Sequence, residues 1–368
     1  MTNRMRRSAL PLLLIAVVAA IVSTTPGVAA AASRARATAS PVAWQDRPTG
    51  STERFRGLAP VSAAVAWVSG TGGTVLRTAD GGSTWADLSP GVVDGFDTSK
   101  LQFRDIQAFS ASTAVILAIG TGIDSRIYRT DDGGLTWRTT FVNAEPTAFY
   151  DCLAFFDRRN GLALSDPVDG KFRLQRTTDG GRSWSLVDPA GMPAALDGEF
   201  AFAASGTCLV TARGGNAWIA SGGGAIARVL SSTDLGATWT ATATPMRVSE
   251  TGGIFSLAFR NPKQGVAVGG DFQAPTDGTD AAATSRDGGL TWSLARHALS
   301  GYRSGVAWLP GGARSLVAVG PTGSDVSRDS GRSWSPLDSG SLDSIGCARG
   351  ACWGSGDAGR VAVLTGLG

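Results

Sequence analysis

The stretch "RTDDGGLTWRTT", residues 129–140, decides the fold, because its core recurs five more times along the chain. The copies are "TADGGSTW" at 78–85, "TTDGGRSW" at 177–184, "STDLGATW" at 232–239, "SRDGGLTW" at 285–292 and "SRDSGRSW" at 327–334. Successive tryptophans, Trp85, Trp137, Trp184, Trp239, Trp292 and Trp334, are 52, 47, 55, 53 and 42 residues apart. That is the period of one propeller blade rather than of a helical repeat, and it has room for four short strands.

Each copy has the form S/T-x-D-x-G-x-T/S-W. A strand ends at Ser or Thr, the glycine permits the positive φ of a tight turn, and the aspartate accepts backbone N–H bonds a few residues on. The tryptophan then packs its large apolar face between neighbouring sheets. Asp80, Asp132, Asp179, Asp234, Asp287 and Asp329 are therefore expected to be structural, as are their tryptophans. A calcium loop would need alternating oxygen ligands and a terminal Glu, which the octet lacks, so no metal is expected there.

Composition agrees with an all-β chain. Its 50 glycines and 16 prolines punctuate short Val, Ile, Thr, Phe and Trp runs, and no long amphipathic helical pattern occurs. A length of 368 residues alone would suggest two domains, but blades close into one ring. The segment "IGCARGACWGSGDAGRVAVL" repeats the early part of a blade without its octet, and "VAWQDRPTG" near the N-terminus can supply the missing outer strand. The expectation is a single seven-bladed β-propeller over residues 42–368, with six or eight blades as alternatives.

Residues 1–32 carry Arg4, Arg6 and Arg7, an apolar run from Ala9 to Val22 and then small residues, the pattern of a signal peptide. Residues 33–41 read as a flexible lead-in. Fourteen apolar residues are short for a spanning helix, which needs roughly 20, so an uncleaved anchor is the lesser alternative. Export would place the protein in the periplasm or outside the cell. Cleavage near Ala32 removes three arginines and takes the formal charge from +3 to about zero (3 − 3), which argues against nucleic acid as a partner. An exported location permits disulfides. Cys347 and Cys352 flank "ARGA" and would face each other across a hairpin, a position that can hold a bridge, whereas Cys152 and Cys208 lie in different blades and their pairing is open.

First strands of blades line the central channel. Aligning "FRGLAPVS" (55–62), "FRDIQAFS" (103–110), "YDCLAFFD" (150–157), "GEFAFAAS" (198–205), "IFSLAFRN" (254–261), "RSGVAWLP" (303–310) and "LDSIGCAR" (342–349) places Arg56, Arg104, Asp151, Glu199, Phe255, Ser304 and Asp343 in a ring at one mouth. Tyr150, Asp105, Tyr302 and Arg303 fall beside it. Polar groups concentrated there suit a ligand or partner, the alternative being charges that pair around a wet channel. The loops "SDPVDG" (Asp166, Asp169), "GGDFQAPTDGTD" (Asp271, Asp277, Asp280) and "GPTGSD" (Asp325) are further candidates. "SGGGAIARV" at 221–229 precedes a strand with no Lys-Ser/Thr after it, so it is not a phosphate loop. The single histidine, His297, makes a His metal cluster or a Ser-His-Asp triad hard to build, and no cofactor is expected.

The octets, with lead-in strands such as "GTVLRTADGGSTW" and "SRIYRTDDGGLTW", resemble the Asp-box of BNR repeats, found in sialidases, sortilin-type receptors and the photosystem II stability/assembly factor family. The resemblance covers nearly the whole chain after residue 41. It implies two functions. Sialidase likeness implies a glycoside hydrolase with three arginines for a substrate carboxylate, a Tyr nucleophile assisted by Glu and an Asp acid/base; Arg56, Arg104 and Arg303, Tyr150 or Tyr302, Glu199 and Asp151 supply those types. The Phe/Tyr-Arg-Ile-Pro signature is absent, "FRGL" at 55–58 keeping only Phe-Arg. Likeness to the assembly factors implies a monomeric exported scaffold that binds a protein client or membrane-protein complex through arginines, with a glycan as the other ligand class. Arg outnumbers Lys about tenfold here, and guanidinium forks suit carboxylate recognition. The scaffold is the favoured expectation.

Overall fold

Each octet closes on itself through the same bonds. The backbone N–H of its seventh residue donates to the aspartate at 2.9–3.0 Å in all six copies, from Thr84, Thr136, Ser183, Thr238, Thr291 and Ser333. The leading Ser or Thr hydroxyl donates to the same carboxylate and accepts from the glycine N–H, as Thr130 does with Asp132 at 2.8 Å and Gly134 at 2.9 Å. These bonds hold the carboxylates down to about 2 at Asp80 and Asp132.

The computed structural model describes residues 42–367. The expected signal peptide (1–32) and lead-in (33–41) lie outside them. The octets join the third and fourth strands of four-stranded antiparallel sheets, seven in all among the described residues. Six sheets run in sequence order from the axis outward, beginning at Phe55–Pro60, Gln102–Ala108, Tyr150–Phe155, Leu209–Ala212, Gly252–Phe259 and Gly305–Trp308. The seventh begins at Ser344–Ala348 and takes its outermost strand, Ala43–Asp46, from the other end of the chain. That strand pairs antiparallel with Val361–Thr365, Trp44 opposite Leu364, so the ring closes without an open edge.

Second strands are apolar on both faces, "AVILAI" at Ala114–Ile119 being buried throughout, because neighbouring blades cover each side. The octet tryptophans fill the same interfaces. Trp137 meets Trp67 of the preceding blade edge-to-face at 6.3 Å, and Trp85 meets Trp353 likewise at 6.2 Å.

One strand assignment needs correction. The fourth blade begins at Leu209–Ala212, not within 198–205. The earlier segment forms no strand and instead crosses the channel as a buried plug. Ala201, Phe202, Ala203 and Ala204 are buried, Phe202 against Phe255 of the fifth blade's inner strand, which is why the segment reads like an inner strand.

Both cysteine pairs are bridged, Cys152–Cys208 between blades three and four and Cys347–Cys352 within the hairpin of blade seven.

Candidate functional site

The site begins with irregularity in the inner strands. Pairing of the first strand with the second shifts register at Phe55/Gly57, Phe103/Asp105, Tyr150/Cys152 and Ile254/Ser256. The residue skipped in each case is Arg56, Arg104, Asp151 or Phe255. A bulge re-aims the side chain it carries, and three of these four side chains line one cavity at the mouth of the channel.

The plug makes the floor of that cavity with Phe202, Ala203 and Ala204. Many groups hold it. The Asp166 carboxylate accepts from Ala201 N–H at 2.8 Å, the Arg104 guanidinium donates to the Ala203 carbonyl at 3.1 Å, and the Ser205 hydroxyl donates to the Ser304 carbonyl at 2.6 Å. Phe202 stacks on Phe255 with ring centroids 3.7 Å apart. Two glycine positions are required by this crossing. A Cβ at Gly206 (φ +74) would lie 2.3 Å from Asp105 Oδ1, and one at Gly222 would lie 2.7 Å from the Gly252 carbonyl oxygen. The glycines of "SGGGAIARV" therefore serve close backbone passage, Phe200 and Gly222 exchanging N–H bonds at 3.0 Å.

The cavity has a volume of about 500 Å³ and two unlike kinds of lining residue. Arg54, Arg56, Arg104 and Asp343 make it charged, and Phe255, Phe272, Pro275, Tyr302 and Pro321 make it apolar. Arg54 clamps Asp343 through two 2.7 Å bonds, and this pairing raises the arginine's pKa. Arg56 stands 3.9 Å from the same carboxylate, its Nε is buried without a hydrogen-bond partner, and desolvation lowers its pKa. Arg104 bonds only to neutral oxygens, those of Gln102 and Ala203, and burial, reinforced by the charges of Arg56 and Arg54, pushes it down to about 10. Three guanidiniums thus share one carboxylate in a half-apolar cavity.

Of the residues expected at the mouth, Arg56, Arg104, Phe255, Tyr302 and Asp343 line this cavity. The others do not. Arg303 is buried in blade six, bonded to Asp325 at 2.7 Å, so the third arginine is Arg54, which precedes its strand and was not singled out. Glu199 lies in the plug segment rather than on an inner strand and is tied to Arg228. Tyr150 turns between blades, packs edge-to-face on Phe141 and accepts from Gln175 at 2.9 Å. Ser304 is buried, its hydroxyl donating to the Asp343 carbonyl. Asp105 sits under the plug, where its oxygens accept from Ile106 and Leu153 N–H and burial pushes its carboxyl up to about 8. Asp151 is buried beside Asp166. Loop residues do reach the cavity, but through Phe272, Pro275 and Pro321 rather than the aspartates: Asp277 pairs with Arg247, and Asp169 with Arg173. His297 is exposed beyond an outer strand. Among the described residues no group of three or more His, Cys, Asp or Glu is placed to hold a metal ion.

The Asp151–Asp166 pair sets a pH dependence. Burial raises both carboxyls, Asp166 to about 7, and the nearby Asp166 charge raises Asp151 further, with Arg104 opposing. A raised carboxyl stabilises the fold fully below its unfolded value near 4 and loses that contribution as pH rises through its folded value. The octet aspartates act oppositely, their contribution being lost as pH falls from about 4 towards 2. Thermal stability should therefore peak in mildly acidic solution and fall between pH 5 and 8. Asp166→Asn keeps an oxygen for Ala201 N–H and removes one raised carboxyl together with its charge beside Asp151, so it should flatten part of that fall, the buried Asp105 carboxyl keeping its own share. Melting curves at pH 5, 6.5 and 8 check this; an unchanged slope would assign the effect elsewhere.

No protein-family model matches the chain, and no curated protein does. Solved structures match in fold. YCF48 bound to a D1 peptide superposes with a TM-score of 0.61 at 14% identity, covering 88% of this chain and 96% of that one. YCF48 from Cyanidioschyzon merolae gives 0.59 at 18% identity, covering 88% and 98%. The GH74 xyloglucanase from Xanthomonas campestris gives 0.59 at 16% identity, covering 88% of this chain and 53% of the enzyme. At such identities the likeness is one of architecture, the seven-bladed propeller.

Proposed function

We propose that the protein is an exported, monomeric, non-catalytic propeller that binds a protein client at the channel mouth, in the manner of the photosystem II stability/assembly factors its Asp-box octets resemble. The observation that carries this reading is the mouth itself, where Arg54, Arg56 and Arg104 share a cavity with apolar side chains and with Asp343 as the single lining carboxylate. The YCF48 fold relative is one that holds a peptide, which supports a peptide-bearing client. Export rests on the N-terminal signal pattern.

The glycosidase alternative loses its residues. Glu199 is engaged by Arg228, Asp151 and Tyr150 do not line the mouth, and burial pushes the Tyr302 phenol upward, away from the ionisation a nucleophile needs.

Affinity capture from the exported fraction followed by mass spectrometry tests the scaffold. One protein or membrane complex should be retained by the wild type and lost by about tenfold or more on Arg56→Ala with Arg104→Ala. It should persist in Asp46→Ala, which breaks the ion pair with Arg360 on the outermost strand of blade seven. Capture that survives the double arginine change would move the client site elsewhere; hydrolysis of aryl glycosides or sialosides by the purified chain would overturn the non-catalytic reading.

A further inference from the structure

The geometry points to a specific ligand chemistry for the mouth cavity: a carboxylate joined to an apolar group, as in an aryl- or alkyl-carboxylic acid or the C-terminal residue of a polypeptide. The proposal rests on the reading of the mouth as the binding site and goes beyond it in naming what is recognised.

Charge gives the first half of the argument. Arg54 and Asp343 satisfy one another through a bidentate pair. That leaves Arg56, whose buried Nε lacks a partner, and Arg104, whose fork touches only amide and peptide oxygens. Asp343, already clamped by Arg54, is the one lining carboxylate for all three guanidiniums and stands 3.9 Å from Arg56, so the charges of Arg56 and Arg104 are incompletely compensated, and their planar donor forks match a further carboxylate. Both side chains leave the inner strands at bulges in adjacent blades, so they converge from fixed directions.

The apolar lining gives the second half. Phe255 and Tyr302 are nearly fully buried, their rings meeting edge-to-face at 4.6 Å, while Phe272 is 48% exposed at the rim. A cavity of about 500 Å³ falls within the roughly 300–1,000 Å³ of small-molecule sites. The apolar lining offers few polar groups, chiefly the Thr322 and Tyr302 hydroxyls, so it suits an apolar moiety. A ligand with one anionic end and one apolar end satisfies both kinds of lining at once.

Isothermal titration calorimetry on the full chain at pH 7 tests this with 3-phenylpropionate, its neutral amide 3-phenylpropanamide, inorganic phosphate, and Gly-Gly-Phe with a free or an amidated C-terminus. Binding of 3-phenylpropionate or free Gly-Gly-Phe is expected, about tenfold or more tighter than the matching amide. It should be lost in Arg104→Met, which keeps much of the stem, and weakened several-fold in Phe272→Ala, which alters an exposed rim residue with no charge. Tighter binding of the tripeptide would assign the ligand to chain termini, and tighter binding of the small acid to free acids; either supports the proposal. Acids bound no better than amides, or phosphate bound better than both acids, would overturn it, as would a correctly folded Arg104→Met variant with unchanged affinity. Its failure is separable from failure of the client reading. If acids bind but client capture ignores the arginine changes, only the client reading falls; if capture depends on the arginines but no acid binds, only this proposal falls.

Discussion

Trp137→Ala is expected to cost about 3 to 5 kcal/mol of unfolding free energy. Trp137 is 8% exposed, and its indole stands edge-on to Trp67, which is completely buried in the preceding blade. Its Nε1–H donates to the Leu88 carbonyl at 2.9 Å. The substitution therefore opens a large cavity between two blades and leaves a carbonyl without its donor, two penalties that add. Trp85 is a built-in comparison. It holds the equivalent place against Trp353 but is only half-buried, and its Nε1 has no partner to lose. Trp85→Ala should cost distinctly less. Denaturant titrations of both variants decide the matter, and a loss under about 1 kcal/mol at Trp137 would mean that the octet tryptophans do not hold the blades together.

Much of this architecture is legible in the sequence because propeller constraints are local and repeated. An octet fixes its own turn, so six octets mark six sheets, and the closing strand at Ala43–Asp46 could be inferred from a final sheet that lacked an outer member. The mouth was partly legible for the same reason: Arg56, Arg104, Phe255 and Asp343 fall at equivalent positions of their inner strands and line one cavity. The plug was not legible. "GEFAFAAS" is as apolar as an inner strand, and sequence registers burial without saying against what. A signal did exist a few residues later: "LVTARGGNAWIA", residues 209–220, is two apolar runs around a Gly-Gly turn, the hairpin that the structure shows. Arg303 and Arg54 exchanged roles because a one-residue offset at the start of an inner strand decides whether a side chain faces the channel or the neighbouring sheet. Asp325, fully buried, captures Arg303, and nothing in the sequence tied those two together.

The two disulfides should contribute unequally, and the larger effect belongs to the bridge beside the plug. Cys152 and Cys208 are 56 residues apart, Cys347 and Cys352 only 5. If a bridge acts mainly by restricting the unfolded chain, its worth grows with the logarithm of the loop it closes, giving about 4 kcal/mol for the first and about 2 kcal/mol for the second. Packing adds in the same direction, since Cys152 and Cys208 are both fully buried whereas Cys347 is only partly so. Cys152→Ala with Cys208→Ala should therefore lower the denaturant midpoint about twice as far as Cys347→Ala with Cys352→Ala. The position of the long-loop bridge links this to function. Cys208 ends the plug and joins it to the inner strand of blade three, one residue past the Asp151 bulge. Cutting that tie leaves the plug held by non-covalent contacts only, those of Asp166, Arg104 and Ser304, the Phe202–Phe255 stack and the Phe200–Gly222 bonds. Because the plug supplies the cavity floor and the Ala203 carbonyl that positions Arg104, the Cys152/Cys208 variant should also bind 3-phenylpropionate more weakly, while the Cys347/Cys352 variant should not. Equal stability losses from the two double variants would show that loop length does not govern the effect, and unchanged ligand affinity in the first would show that the plug needs no covalent anchor to shape the mouth.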